Sequence, residues 1–195
     1  MKTRIAALLL ISVEALAPAA QRPEPQFAAG NVLVRPEGYR EWVFVGASLG
    51  LTYSKGPSED APDFHNVYIQ PEAYREFSAT GKFPDHTVLV SEIVSSASKS
   101  SINKQGHFED RFVGIDVAIK DEKRFPEKWA YFSFVGPGGK ALAKTDPFPK
   151  MACWSCHNQH GAVDNVFVQF YPVLRAAHPL AGDAGSPSPA ADHDR

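Results

Sequence analysis

Sulfur is scarce in this chain. Its 195 residues include two cysteines and two methionines. No further cysteine exists to complete a zinc site of paired thiolates. The two that are present, Cys153 and Cys156, would close a small and strained ring as a disulfide. No βαβ pattern precedes them, which sets aside a thioredoxin-like redox pair. Long apolar runs are also lacking, the stretch 5–13 being too short to span a bilayer as a helix. No internal repeat is present, which excludes a repeat architecture. Charge of either sign is not in excess: the net charge is −2, and lysine and arginine are scattered. Nothing in that balance points to nucleic acid or to a strongly charged membrane surface.

What is present suffices for one folded domain with short tails. Apolar residues make up 44% of the chain and aromatic residues 11%, enough for a core. The start reads as an export signal over residues 1–19. Lys2 and Arg4 precede the apolar run, and Ala17-Pro18-Ala19 offers a small-x-small cleavage site. A polar, proline-bearing linker follows over 20–30, then a domain over 31–176. Residues 177–195, rich in Gly, Ser, Pro, Ala and Asp, read as a disordered tail. The expected location is therefore periplasmic or secreted, with no membrane attachment after processing.

Within the domain, several short strands alternate with turn signals. Pro36 to Trp42 reads as a short helix or turn that tucks Trp42 inward. Strands are expected over 43–53, with Gly46 and Gly50 as bends, and over 66–69 and 87–94. Pro71 opens a helix at its first turn and Gly81 closes it. Residues 55–63 and 95–106 read as loops, and Pro84-Asp85-His86 as a turn. Residues 112–120 form the clearest strand, with Val113, Ile115, Val117 and Ile119 on one face and Gly114, Asp116 and Ala118 on the other. The small and acidic face leaves room for a bound group. Residues 129–135 are apolar on both faces except Ser133, which suggests a central strand. Val163, Val166, Phe167 and Phe170 have helical spacing, and Pro172 should end or kink that helix. The fold class is α+β: a single domain dominated by an antiparallel sheet, with short helices and its C-terminal part helical.

The chemistry is concentrated in Met151-Ala152-Cys153-Trp154-Ser155-Cys156-His157. C-x-x-C-H is the attachment signature of a c-type haem. Two thiols at that spacing add to the two vinyl groups of one porphyrin, and the following histidine supplies a nitrogen to the iron. Cys153, Cys156 and His157 are thus the expected ligands of a single covalent haem c, with His157 on the metal.

The second axial position narrows the function. After signal cleavage Met151 is the one remaining methionine, and it is tethered beside the attachment edge. His/Met ligation of an electron-transfer cytochrome is therefore set aside. Either a second histidine ligates, or the iron has a vacant face. His65, His86 and His107 are the candidates, and His107 is favoured because Phe108 and Glu109 follow it at a strand entry. His160 lies on the side of His157, while His178 and His193 lie in or near the tail. A vacant iron beside an acid suits a small nitrogen compound. Asp116, Asp146 and Glu109, with Asp110 as a further alternative, are the candidate proton acceptors. Each also suits an ordinary solvated carboxylate.

Further segments carry a resemblance: Tyr39-Arg40-Glu41-Trp42, Thr80-Gly81-Lys82-Phe83-Pro84-Asp85-His86-Thr87-Val88, and Lys123-Arg124-Phe125-Pro126. The haem motif then comes late, and Ala162-Val163-Asp164-Asn165-Val166-Phe167-Val168-Gln169-Phe170-Tyr171-Pro172 follows it. In this order the chain resembles the cytochrome P-460 family over about residues 31–176. The resemblance implies a sheet-rich, often dimeric protein with one five-coordinate haem c. Enzymatic members oxidise hydroxylamine and carry a further bond from the haem to a lysine. Related members lack that bond, cap the pocket with aromatic side chains and bind nitric oxide or other diatomic gases.

This chain departs from the lysine pattern. The strand 87–94 contains no lysine, Ser91 stands at its middle, and Lys82, Lys99 and Lys104 are the nearest substitutes. Three functions remain in view: oxidation of hydroxylamine or a similar small amine, diatomic gas binding under a cap drawn from Phe64, Phe83, Phe108 and Phe112, and bis-histidine electron transfer. Each implies a redox or gas partner, and a homodimer is among the assemblies the resemblance allows.

Overall fold

The computed structural model describes residues 24–51, 61–99, 102 and 104–183. The expected signal peptide, the first residues of the expected linker, much of the loop at 55–63 and the end of the expected tail lie outside the described residues. Among the described residues no helix is long and apolar enough to cross a membrane.

The chain runs β1 (Leu33–Val34), β2 (Val43–Leu49), β3 (Phe64–Ile69), α1 (Pro71–Thr80), β4 (Val88–Ala97), β5 (Phe108–Lys120), β6 (Trp129–Ser133), β7 (Lys144–Thr145), α2 (Trp154–His160) and α3 (Pro172–Ala177). Strands β2 to β6 form one antiparallel sheet in sequence order, and β1 pairs with β7 separately. This is the α+β, sheet-dominated architecture the sequence implied.

Alternation along the strands gives the sheet two apolar faces. On one face Val67, Ile69, Leu89, Trp129 and Tyr131 pack against Phe77 and Phe83, and against Val166, Val168 and Leu174 of the C-terminal segment. On the other, Val90, Ile115, Val117, Ile119, Phe132 and Phe134 pack with Leu33 and Phe125. The period-two face of β5 is thus core, and its opposite face turns towards the C-terminal segment.

Local signals explain several boundaries. Pro71 opens α1, and Gly81 closes it in the left-handed conformation with its N–H bonded to the Phe77 carbonyl at 2.7 Å. Gly50 at φ +71 ends β2 at Leu49, and residues 52 and 53 of the expected strand lie outside the described residues. The sheet is longer elsewhere: β4 runs on to Ala97 and β5 begins at Phe108, because their ladder continues to Ala97↔Phe108 through two irregularities. Part of the stretch expected as a loop at 95–106 is therefore strand.

Two expectations are corrected. β6 is an edge strand rather than a central one. It is apolar on both faces because both are covered by core, and its open edge is sealed where Phe148 N–H bonds to the Tyr131 carbonyl at 2.8 Å. The second concerns Val163 to Phe170, which do not share a helix. Asp164 and Asn165 both adopt positive φ, +46 and +64, in a tight turn that brings Val163 against Val166. Pro172 then opens α3 rather than closing a helix.

The ordered part reaches into both expected flanks. Phe27 packs on Phe125 and Phe132, and His178 lies edge-on to Phe77.

Candidate functional site

The two cysteines and the histidine that follows them stand at the start of α2. His157 N–H bonds to the Cys153 carbonyl at 3.1 Å, and Gly161 N–H closes the helix on the His157 carbonyl at 2.8 Å. Trp154 anchors the helix from outside. Its indole N–H donates to the Glu127 carbonyl at 3.1 Å, and Lys150 lies over its ring while pairing with Glu127 at 2.9 Å.

Between α2, the β7–α2 segment and the inner face of the sheet lies a cavity of about 730 Å³. That is within the size range of cofactor and small-molecule sites. Val67, Leu89, Ser91, Asp116, Ala118 and Tyr131 form its sheet wall, while Cys153, Cys156 and His157 line it from α2. Leu51, Phe148 and Phe170 stand at its mouth, all substantially exposed.

His157 is held from three directions. Its Nδ1 is 2.9 Å from the Asn165 carbonyl oxygen. A carbonyl only accepts, so Nδ1 carries the hydrogen and Nε2 keeps its lone pair for a metal. The rings of Tyr131 and Phe167 flank the imidazole, with centroids 4.1 and 4.4 Å away. Burial pushes the His157 pKa down, and the bond to Asn165 opposes it only in part. The neutral, ligating form is therefore the favoured one.

These residues fit a haem. Both cysteines are free thiols, half-buried on the cavity wall beside His157. Among the described residues no group of three or more His, Cys, Asp and Glu side chains is placed to hold a bare metal ion. The donor set suits an iron that brings its own macrocycle and takes one protein nitrogen.

The candidate residues separate by face. Asp116 lies in the cavity, as the small-residue face of β5 suggested. Burial pushes its carboxyl pKa up, while a hydrogen bond with Ser133 and the nearby His65 pull it down. Its Oδ1 is buried without a hydrogen-bond partner. Glu109 is not brought to the cavity: it accepts a bond from Asn66 Nδ2 at 2.6 Å, and Asn66 pairs across the ladder with Glu92 on the other face. Asp146 is exposed beyond β7 and outside the cavity, and exposed Asp110 pairs with Arg111 at 3.2 Å.

Of the three histidines, His65 lines the cavity. His107, favoured from sequence, is exposed ahead of β5 at the far end of the ladder. His86 sits in a turn at φ +61, 3.1 Å from Glu24. His160 is at the cavity mouth, and His178 packs beside Gly81 and Phe77. His193 lies outside the described residues.

The expected aromatic cap is not built from the expected residues. Phe83 is buried in the core, stacked on Phe77 at 4.4 Å. Phe64, Phe108 and Phe112 do not line the cavity, and Phe112 lies under the Arg40 guanidinium instead. The phenylalanines whose rings line it are Phe148, Phe167 and Phe170. Phe148 was detectable in principle: the Pro-Phe-Pro run before Cys153 enforces an extended strap, and an extended strap at a sheet edge presents its side chains to what lies beneath. Phe170 was hidden by its apparent helical spacing.

Lys82, Lys99 and Lys104 are all exposed, and no lysine among the described residues lines the cavity. Ser91 occupies the wall there.

The family model for cytochrome P460 matches residues 36–168, well over half of the chain. No curated protein matches the chain in sequence. The match spans the sheet, the Cys153–His157 segment and the Asn165 turn, and the chain belongs to the cytochrome P460 family, a family of haem-binding cytochromes.

Proposed function

We propose that this cytochrome is an exported haem c protein that binds a small diatomic ligand, nitric oxide in the first place. One haem is held by thioethers to Cys153 and Cys156 and ligated by His157. Once bound, the haem supplies an iron with a coordination position open to a small ligand. The observation that carries the reading is Ser91: the cavity wall holds this short hydroxyl, and no lysine among the described residues reaches the site. A cavity without a lysine matches the members that bind gases rather than those with a lysine-linked haem.

The chain's own residues fit that role. The Asn165 carbonyl fixes the His157 tautomer, so the imidazole offers its lone pair without a competing proton. Val67, Leu89, Ala118 and the phenylalanines give the cavity largely apolar walls, which favour a small uncharged ligand over water. Export is supported by Lys2 and Arg4 ahead of the apolar run, and by c-type haem chemistry itself.

The test is the optical spectrum of the ferrous protein with and without nitric oxide or carbon monoxide. A five-coordinate spectrum that shifts on gas addition is expected. A low-spin spectrum unchanged by either gas would remove the reading and favour ligation by His65.

Asp116 favours a second reading. A buried carboxyl in the same cavity, with one oxygen unpaired, can accept a proton from a small amine. Under that reading the protein oxidises hydroxylamine and passes the electrons to a redox partner. Steady-state turnover of hydroxylamine with an electron acceptor, abolished by Asp116→Asn, would establish it over gas binding alone.

A further inference from the structure

We infer that Lys120 and Tyr131 set the electron-donating strength of His157 in opposite directions, through the one carbonyl oxygen of Asn165. Lys120 is almost fully buried, unusual for a lysine. Its ammonium bonds to the Phe83 carbonyl at 2.8 Å and to Asp164 Oδ2 at 2.7 Å. Glu122 approaches it at 3.4 Å. One end of this clamp is core backbone, and the other is the residue directly before Asn165.

The turn that Lys120 grips is a demanding one. Asp164 and Asn165 are both left-handed, a conformation that costs non-glycine residues energy and has to be held from outside. Backbone bonds between Val163 and Val166 close it, and two side-chain contacts brace it. Lys120 restrains the Asp164 side chain, and Asn158 Nδ2 donates to Asn165 Oδ1 at 3.2 Å. The product of the turn is the position of the Asn165 carbonyl, 2.9 Å from His157 Nδ1. Tyr131 donates its hydroxyl to the same oxygen at 3.1 Å.

These contacts act with opposite sign. A firm Nδ1–H···O bond makes the imidazole more basic and a stronger donor, which stabilises ferric iron and lowers the reduction potential. Lys120 keeps the carbonyl in place and so strengthens that bond. The Tyr131 hydroxyl draws on the lone pairs of the same oxygen and so weakens it. Lys120 and Tyr131 are positioning residues, acting on the haem through Asn165 and His157.

The inference rests on His157 ligating a haem, and the experiment separates the two. Haem-loaded parent, Lys120→Met and Tyr131→Phe proteins are compared by absorbance, redox titration and the iron–histidine stretching frequency. Lys120→Met is expected to raise the potential and lower the stretching frequency. Tyr131→Phe is expected to do the reverse. Asp164→Asn keeps a residue that tolerates left-handed backbone and removes the anion Lys120 holds, so it should shift both readouts in the same sense as Lys120→Met, and it stands in if that variant does not fold. Shifts of one sign in both classes of variant, or none with haem retained, would overturn the inference alone. A parent protein without a His157-ligated haem would overturn the functional reading as well.

Discussion

Ser91 on β4 is paired directly with Asp116 on β5, and both side chains look into the cavity beside Cys153 and Cys156. The sheet therefore offers a hydroxyl and a carboxyl where the resemblance to lysine-linked members called for an amine. Asp116 lies close enough to Cys153 for its charge to help raise the thiol's pKa, after burial, the larger cause.

Covalent attachment should then rest on the two cysteines alone. The double variant Cys153→Ala, Cys156→Ala is expected to release all of its haem into acidified acetone, while the parent retains it. Haem remaining on the double variant after extraction would reveal a third link and sink the lysine-free reading of the cavity.

Asp116 should make stability depend on pH. Burial raises its folded-state pKa above that of an unfolded aspartate, so folding favours the protonated form. Stability linked to this group is complete below the ordinary carboxylate value, near about 3.9, and is lost as pH rises through the folded value. Asparagine cannot ionise. Asp116→Asn is therefore expected to raise the melting temperature relative to the parent at about pH 7 and to change it little at about pH 3.5. Equal differences at both pH values would show that the carboxyl is not held protonated by the fold.

The parts of the site that were legible in the sequence are those governed by local chemistry. Cys153, Cys156 and His157 announce themselves by spacing, and the inward face of β5 follows from the alternation of Gly114, Asp116 and Ala118 with branched residues. Pro71 and Gly81 mark α1 for the same kind of reason. The rest depended on tertiary placement. Glu109 and Asp116 lie on one strand, but two irregularities in the ladder separate them, and Glu109 ends opposite Ser96, bonded to Asn66 and away from the cavity. His107 looked favourable beside an aromatic and an acid, but the ladder carries it away from the cavity, whereas His65, with no local signal, lies in register with it. Asp164-Asn165 reads as part of a helix until two positive φ values turn it into the support of His157.

The far face of the sheet carries a buried carboxylate on which stability should depend. Glu92 is 5% exposed and accepts the Tyr39 hydroxyl at 2.7 Å and Arg40 Nε at 2.8 Å. Glu92→Ala leaves the buried Tyr39 hydroxyl without its acceptor and is expected to cost about 1–3 kcal/mol. Arg40→Ala leaves the Glu92 carboxylate buried without its cation, so it should cost more than an exposed ion pair does, about 2 kcal/mol, although most of the arginine side chain lies in water. Chemical denaturation of both variants checks this, and a loss under about 0.5 kcal/mol at either residue would contradict it.

Gly161 offers the sharpest test of how α2 is joined to the turn at Asn165. Its φ of −66 suits any residue, so backbone freedom is not why glycine stands there. A Cβ at this position would lie 2.6 Å from the His157 carbonyl oxygen, 2.8 Å from the Asn165 carbonyl carbon and 2.9 Å from the Val166 nitrogen. All three are backbone atoms, which cannot rotate aside as a side chain would. The added methyl must push α2 and the turn apart, and these two segments carry the two ends of the His157–Asn165 bond. Gly161→Ala should therefore cost about 1–3 kcal/mol, as overpacking does elsewhere. It should also lower the iron–histidine stretching frequency, as a weaker Nδ1–H···O bond requires. Gly106→Ala is the control. It sits at φ +92 with open space around its Cβ position, so it bears torsional strain without touching the site. It should lose about 1 kcal/mol of stability and leave the haem signature unchanged. A Gly161→Ala protein with the parent's stability and the parent's stretching frequency would show that the two segments are not in contact at this distance.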